Sequence, residues 1–160
     1  KNRAPGLDRS FAAQKWKNMD SKLWLEAGDE AMDKEFHGHY DIWGGDIDPS
    51  AVDLARHNAE LAGVEDCIRF EVADAGKFHR DSEYGHLVTT PPYGERLLEK
   101  KEAEELYRVF GAALRDLPPK WRVLVLSSHT EFERCFGRTA DKKRKLYNGM
   151  IKCDVFMYGR

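Results

Sequence analysis

Residues 40–49 of the chain read YDIWGGDIDP. The stretch Tyr40–Ile47 is short, apolar-rich and bounded by glycines, which predicts a buried β-strand. Asp48 and Pro49 follow it with an N-cap carboxylate and a proline suited to the first helical position. Gly63 is placed to end a helix whose apolar residues recur at helical spacing, namely Val52, Ala55, Ala59 and Ala62. A strand that leads directly into a helix is the repeating unit of α/β proteins.

Strands and helices continue to alternate downstream of Gly63. The predicted strands are Ile68–Val72, Gly85–Thr90 and Trp121–Leu126. A helix precedes the last of them and ends at Pro118-Pro119; its apolar residues are Leu106, Phe110, Ala113 and Leu117. The alternation predicts a doubly wound, mostly parallel α/β sheet with right-handed crossovers.

The two ends of the chain break this alternation. The first forty residues are predicted to be mainly helical, from Phe11–Trp16 and then over Lys22–Phe36. After a short helix near Glu131–Phe136, the extended segments Lys145–Tyr147 and Ile151–Tyr158 flank Asn148-Gly149, a strong hairpin sequence. We therefore expect an antiparallel hairpin at the edge of the parallel sheet.

Composition indicates one globular domain over residues 1–160. The chain is 41% hydrophobic and 34% charged, with a net charge of −2, so any nucleic-acid contact requires a local basic patch. We expect no membrane segment, because no apolar run approaches the length that spans a bilayer. The three cysteines have neither disulfide nor metal-ligand spacing, and His37 and His39 have no further ligand nearby. We expect a cytoplasmic protein without a metal.

Three aspartates follow predicted strands of the sheet. Asp46 and Asp48 end the first strand, and Asp74 follows the second. Ligands of open α/β sheets bind outside the carboxyl ends of the strands, where one carboxylate can accept from ribose hydroxyls and another from an adenine amine. The sequence leaves a second interpretation open, in which Asp48 only caps a helix and Asp74 only starts a turn.

The third strand ends in Thr90-Pro91-Pro92-Tyr93. Two prolines fix the backbone and remove two amide donors, so that carbonyl acceptors remain, and Tyr93 offers a flat face for a base. Acceptors around the two hydrogens of an aromatic amine orient its lone pair toward a methyl donor, so that positioning does most of the work. A rigid turn without function is the alternative.

These motifs, in this order, resemble class I S-adenosylmethionine-dependent amino-methyltransferases. The sequence is most similar to bacterial ribosomal RNA guanine-N2 methyltransferases that carry an RNA-binding THUMP domain, often first described as N6-adenine DNA methylases. The matching segments cover essentially the whole chain: Ala4–Phe11 with Trp16, Gly45–Pro49, Ala55–Ala59, Ala62–Val64, Pro91–Leu97 and Lys145–Ile151. The resemblance implies that Asp46 binds the cofactor ribose, that Ile47 lies against the adenine, and that Asp74 and Ala75 contact the adenine edge. It also implies that Pro91, Pro92 and Tyr93 hold the target base. Asp48 and Thr90 join these as candidate cofactor-binding and catalytic residues by their position at the strand ends.

Two departures from the family stand out. The family has Asn where this chain has Thr90, so a shorter, β-branched hydroxyl replaces a planar amide. The family's glycine-rich cofactor loop, its first strand and its THUMP domain are expected before Lys1. We therefore expect that an N-terminal segment of the same parent protein completes the fold.

The basic run Arg138–Lys145 is a second candidate for nucleic-acid contact. Lys142, Lys143 and Arg144, together with Arg96 near the Pro-Pro-Tyr segment, could position RNA through its phosphates, although such runs are commonly solvated loops. Ser127-Ser128-His129 lacks a nucleophile elbow and an acidic sequence partner, so a hydrolase is excluded.

The leading functional hypothesis is S-adenosylmethionine-dependent methylation of guanine N2 in 23S ribosomal RNA. Two alternatives stay open at this point. One is adenine-N6 methylation of DNA, which uses the same motif chemistry. The other is a catalytically silent module that binds cofactor or RNA, which Thr90 and the expected absence of the glycine loop favour.

Overall fold

In the computed structural model, which describes residues 1–94 and 97–159, the chain forms two units, Lys1–Val72 and Ala73–Arg160. The first unit holds helices α1 (Ser21–Asp33) and α2 (Pro49–Leu61) and strands β1 (Ile42–Asp46) and β2 (Ile68–Val72). The two strands pair in parallel, with Ile42 opposite Ile68 and Asp46 opposite Val72. In the described part of the chain no other strand joins this sheet.

The predicted strand–helix unit around residue 48 is confirmed. The Asp48 side chain accepts a hydrogen bond from the Ser50 amide, and Pro49 opens α2. Gly63 follows the end of α2 with a φ of +61°, a left-handed conformation that glycine adopts without strain. The prediction that β1 is buried is wrong, because Ile42 and Trp43 remain 47% and 42% exposed beside a single partner strand.

The helical predictions for the N-terminal residues are partly wrong. Residues Phe11–Trp16 contain only a 3₁₀ turn, Ala12–Lys15. The Asp20 side chain accepts from the Lys22 amide and caps α1, which ends at Asp33 rather than Phe36. A segment this short needs tertiary packing to repay the cost of nucleating an α-helix, and Ala12–Lys15 has no buried residue.

The second unit holds a four-stranded sheet. Its strands are β3 (Tyr84–Thr89), β4 (Lys120–Ser127), β5 (Lys142–Asn148) and β6 (Ile151–Tyr158), in the spatial order β3-β4-β6-β5. β3 and β4 are parallel, and β6 is antiparallel to both β4 and β5. Helices α3 (Leu97–Ala113) and α4 (Phe132–Phe136) complete the unit. The predicted change from parallel to antiparallel pairing is therefore confirmed.

One face of this sheet carries the core. Leu87, Val123 and Val125 lie on the same face and belong to one core cluster with aromatic side chains of α3, α4 and β6: Tyr107, Phe110, Phe132, Phe136, Phe156 and Tyr158. The buried stripe of α3 consists of Ala103, Tyr107 and Phe110 and continues to Leu114 in the 3₁₀ turn that follows, so it shares only Phe110 with the predicted apolar residues. α3 begins at Leu97, earlier than the apolar spacing indicated.

The hairpin has a different turn from the predicted one. Asn148 pairs with Ile151, so Gly149 and Met150 form the two-residue loop. Gly149 has a φ of +60° and Met150 does not have a positive φ, which fits a type II′ turn with glycine in its first central position. The ladder also extends β5 back to Lys142, since each added residue pairs with β6.

No helix among residues 1–94 and 97–159 is long and apolar enough to cross a bilayer.

Candidate active site

Asp46 lies at the carboxyl end of β1, beside the end of β2 at Val72. It is exposed, and one of its carboxylate oxygens accepts from the Asp48 amide at 2.9 Å. The second oxygen makes no hydrogen bond to the described residues. Asp46 can therefore hold the local turn and still accept a hydrogen bond from a ligand, whereas Asp48 is engaged in capping α2. Ile47 is 69% exposed beside them.

Asp74 starts a 3₁₀ turn, Ala75–Lys77, and accepts from the Gly76 amide at 2.8 Å. The turn-forming role that the sequence left open is thus present. Asp74 and Ala75 belong to the second unit and Asp46 to the first. That Asp46 and Asp74 face one ligand crevice stays a prediction.

The segment Thr90–Gly94 leaves the carboxyl end of β3. Thr90 is exposed, Tyr93 is half-buried, and both proline peptide bonds are trans. Gly94 has a φ of +66°, and a Cβ at this position would lie 2.7 Å from the Lys100 Cα, so only glycine fits. This backbone turns the chain sharply after Tyr93.

Two side chains far away in sequence hold this segment. The Asn148 amide at the hairpin donates to the Tyr93 hydroxyl at 3.3 Å. The Tyr107 hydroxyl on α3 donates to the Pro92 carbonyl. Burial raises the pKa of both tyrosines, which keeps both phenols neutral at physiological pH. The sequence analysis missed Tyr107 and Asn148 as site residues, because one belongs to an apolar helical pattern and the other to a turn sequence.

A cavity of about 400 Å³ borders the same segment. Pro92, Tyr93 and Gly94 form one side, and α3 contributes the other with two carboxylates and two apolar side chains: Glu99, Glu102, Ala103 and Leu106. A cavity of this size lies within the range of small-molecule sites.

The basic run is a strand rather than a loop. Lys142, Lys143 and Arg144 are exposed residues of β5 and alternate between its two faces. Lys143 pairs with Glu133 at 2.7 Å and lies over the Phe156 ring, and this bond raises the pKa of Lys143 and lowers that of Glu133. Lys142 and Arg144, on the opposite face, make no ion pair with the described residues. Arg96 lies outside the described residues.

The Ser127-Ser128-His129 segment is buried at the end of β4. Its geometry supports the exclusion of a hydrolase, because the Ser127 hydroxyl accepts from the His129 amide rather than bonding the imidazole. The sequence had shown no acidic partner, and here the fold supplies one: a Glu104 carboxylate oxygen lies 3.3 Å from the His129 Nε2. Within residues 1–94 and 97–159, no group of three or more His, Cys, Asp or Glu side chains could hold a metal.

Comparisons with known proteins agree with the methyltransferase interpretation of the Pro-Pro-Tyr segment at the end of β3. The family model "UPF0020: RMKL-like, methyltransferase domain" matches residues 1–156. The chain belongs to this family. The crystal structure of SMU.472, "a putative methyltransferase complexed with SAH", shares 39% identity and a TM-score of 0.91 over 99% of this chain and 42% of that one. The predicted class I methyltransferase fold is confirmed.

Curated relatives of the chain are named as RNA methyltransferases. The chain is 42% identical to "Putative RNA methyltransferase YpsC" of Bacillus subtilis over 98% of its own length. It is 38% identical to "Ribosomal RNA large subunit methyltransferase K/L" of Shewanella baltica over 97% of its length. It spans only 41% and 23% of these two relatives.

Proposed function

We propose that this chain is part of an S-adenosylmethionine-dependent methyltransferase that modifies guanine N2 in 23S ribosomal RNA. The observation that carries the proposal is the Thr90–Tyr93 segment at the end of β3, beside a cavity of about 400 Å³, in a chain of the RMKL-like family. The names of the two curated relatives, both RNA methyltransferases, support RNA over DNA as the substrate.

In this proposal, Tyr93 stacks on the target base while backbone carbonyls and Thr90 accept from its exocyclic amine. Aromatic stacking contributes about 1–3 kcal/mol per base and does not depend on base identity. The half-buried Tyr93 hydroxyl is held by Asn148 and Cys153, and the ring can still present a face. The selection of guanine is the finer part of the proposal.

The cofactor would bind at the carboxyl end of β1. Asp46 fits a ribose because one carboxylate oxygen is free of the described residues while the other fixes the local turn. Ile47, 69% exposed, would lie against the adenine, and Asp74 with Ala75 would contact its edge. When bound, S-adenosylmethionine supplies an electrophilic methyl group.

We also propose that a preceding segment of the parent protein completes the sheet and provides the glycine-rich loop. The partial coverage of the longer relatives supports this, as do apolar side chains left open on β1 and β3. Ile42 on β1 is 47% exposed and Val88 on β3 is 74% exposed. We place the protein in the cytoplasm.

The function is tested with the full-length protein and labelled cofactor on three substrates: ribosomal RNA, large ribosomal subunits and duplex DNA. We expect transfer to RNA, and nucleoside analysis should show N2-methylguanosine. Tyr93→Ala should abolish most of the transfer. Tyr84→Ala is the control and should not, because Tyr84 is 73% exposed at the amino end of β3. Transfer to DNA alone would replace the proposal with adenine-N6 methylation, and no transfer at all would favour a binding module.

The cofactor site has a separate test. Asp46→Ala should weaken cofactor binding to the full-length protein by about 1.5–3 kcal/mol, the range for hydrogen bonds that involve a charged group. Asp53→Ala, which removes a carboxylate 75% exposed on α2, is the matched control and should leave the affinity unchanged. Equal dissociation constants for both variants by calorimetry would remove Asp46 from the ribose role.

A further inference from the structure

Tyr107 connects the buried face of α3 to the Pro-Pro-Tyr segment. Its side chain is 0% exposed, and its hydroxyl donates to the carbonyl oxygen of Pro92. Burial raises the pKa of this phenol, so it stays a donor at physiological pH. The bond joins residues 15 positions apart in sequence and links the buried aromatic core to this segment.

The core leaves the Tyr107 ring little freedom. Phe132 meets it edge-on with ring centroids 4.9 Å apart, and the His129 ring does so at 5.5 Å. The ring centroid of Phe132 lies 4.5 Å from that of Phe156 on β6. The Tyr107 ring is therefore fixed by contacts from α4 and, through Phe132, from the sheet. The position of the hydroxyl is therefore determined by close packing rather than by a rotatable surface contact.

A planar peptide carries this position to Tyr93. The Pro92 carbonyl and the Tyr93 amide belong to one peptide unit, whose atoms lie in one plane. A bond that holds the carbonyl oxygen therefore orients the plane and restricts where the Tyr93 Cα lies. The Asn148 contact at the other end of Tyr93 is longer, at 3.3 Å, and exposed. The Tyr107–Pro92 bond, which is shorter and part-buried, is the stronger constraint of the two.

We propose that Tyr107 is a positioning residue for methyl transfer, which sets the orientation of Tyr93 through the Pro92 carbonyl. The proposal rests on the proposed function, in which the target base stacks on Tyr93. It assigns no direct contact between Tyr107 and the substrate or cofactor. Misplacing a base-holding ring by about 1 Å is sufficient to slow a reaction by about a hundredfold.

The chain offers a matched control for Tyr107→Phe. Tyr158 lies in the same aromatic cluster, is 2% exposed, and donates its hydroxyl to the carbonyl of Arg138 at 3.4 Å. Tyr158→Phe therefore also removes a part-buried phenol–carbonyl hydrogen bond, but away from the Pro-Pro-Tyr segment. In the full-length protein we expect both variants to lose similar thermal stability and to keep the affinity for cofactor.

The variants should differ in single-turnover transfer to ribosomal RNA at saturating RNA and cofactor. We expect Tyr107→Phe to be about tenfold to a hundredfold slower than the parent and Tyr158→Phe to match it. Hydrogen exchange should also be faster at the Tyr93 and Gly94 amides in Tyr107→Phe only. A Tyr107→Phe variant with the transfer rate of Tyr158→Phe, or with unchanged exchange at these amides, would overturn the proposal.

Failure of the proposed function gives a different result. If the parent protein transfers no methyl group to RNA, the RNA methyltransferase proposal fails. Hydrogen exchange at the Tyr93 and Gly94 amides, compared between Tyr107→Phe and Tyr158→Phe, then decides by itself whether Tyr107 holds the Pro-Pro-Tyr segment.

Discussion

At the scale of single residues, Thr90 tests the chemistry of the site most directly. Attack by an exocyclic amine needs an acceptor for each amine hydrogen, and residue 90 stands where the family has Asn. The Thr90 hydroxyl is exposed at the end of β3 and lies closer to the backbone than an amide oxygen would. A well-placed transition-state hydrogen bond is worth about 2.7–4 kcal/mol, or roughly a hundredfold to a thousandfold in rate.

We therefore expect Thr90→Asn in the full-length protein to increase single-turnover transfer to guanine, with little change in cofactor affinity. Thr90→Val is the control, since it keeps the β-branched shape and removes the hydroxyl. If Thr90→Asn is slower than the parent, Thr90 is adapted to this enzyme and the amide argument is wrong.

At the scale of elements, strand β5 carries an ion-paired lysine on one face and two candidate RNA contacts on the other. Lys143 is ion-paired with Glu133, whereas Lys142 and Arg144 are exposed on the other face. Replacing both Lys142 and Arg144 with Ala should lower RNA affinity and reduce the salt slope by about 0.7–0.9 for each lost phosphate contact. Lys143→Ala should have a smaller effect on this slope, and an unchanged slope in the double variant would identify β5 as a solvated face.

The Lys143–Glu133 pair predicts a pH dependence of stability. The pKa of Glu133 is lowered in the folded protein, so its contribution is present above the ordinary value of 4.5 and is lost as the pH falls below it. The contribution is small, because Lys143 is half exposed and solvent screens the pair. In urea unfolding, Lys143→Ala should lower the free energy of unfolding more near neutral pH than at acidic pH, where only the contact with Phe156 is lost.

Two helical glycines should respond to alanine in opposite ways. In α3, a Cβ on Gly111 would lie 2.1 Å from the Phe136 carbonyl oxygen, because α4 crosses at this point. In α1, a Cβ on Gly28 would meet no atom within 4 Å. Gly28→Ala should raise the free energy of unfolding by about 1 kcal/mol, the propensity difference, whereas Gly111→Ala should lower it by more than that. Urea unfolding checks the signs, and a neutral Gly111→Ala would mean that α4 can shift.

At the scale of the whole molecule, four strand edges have no partner strand among the described residues, and two of them belong to β1 and β3. β1 pairs only with β2, and β3 pairs with β4 but not with β1 or β2. Open strand edges with apolar side chains favour association, and native proteins cover them. If a preceding segment supplies the missing strand, the amides of β1 and β3 should exchange more slowly in the full-length protein than in residues 1–160 alone. Equal exchange in the two would contradict this part of the proposal.

The sequence by itself determined the α/β class, the strand–helix unit at Asp48-Pro49 and the place of the Pro-Pro-Tyr segment. These features depend on local rules: apolar period, capping chemistry and the fixed backbone of proline. The tertiary structure decided the rest, because long-range contacts override local preference. Packing of the core made Tyr107 the hydrogen-bond partner of Pro92. Strand pairing placed the hairpin turn at Gly149-Met150. Pairing of β5 with β6 put Lys143 on one face, where it meets Glu133, and Lys142 and Arg144 on the other. No local pattern specifies which side chains meet across a core.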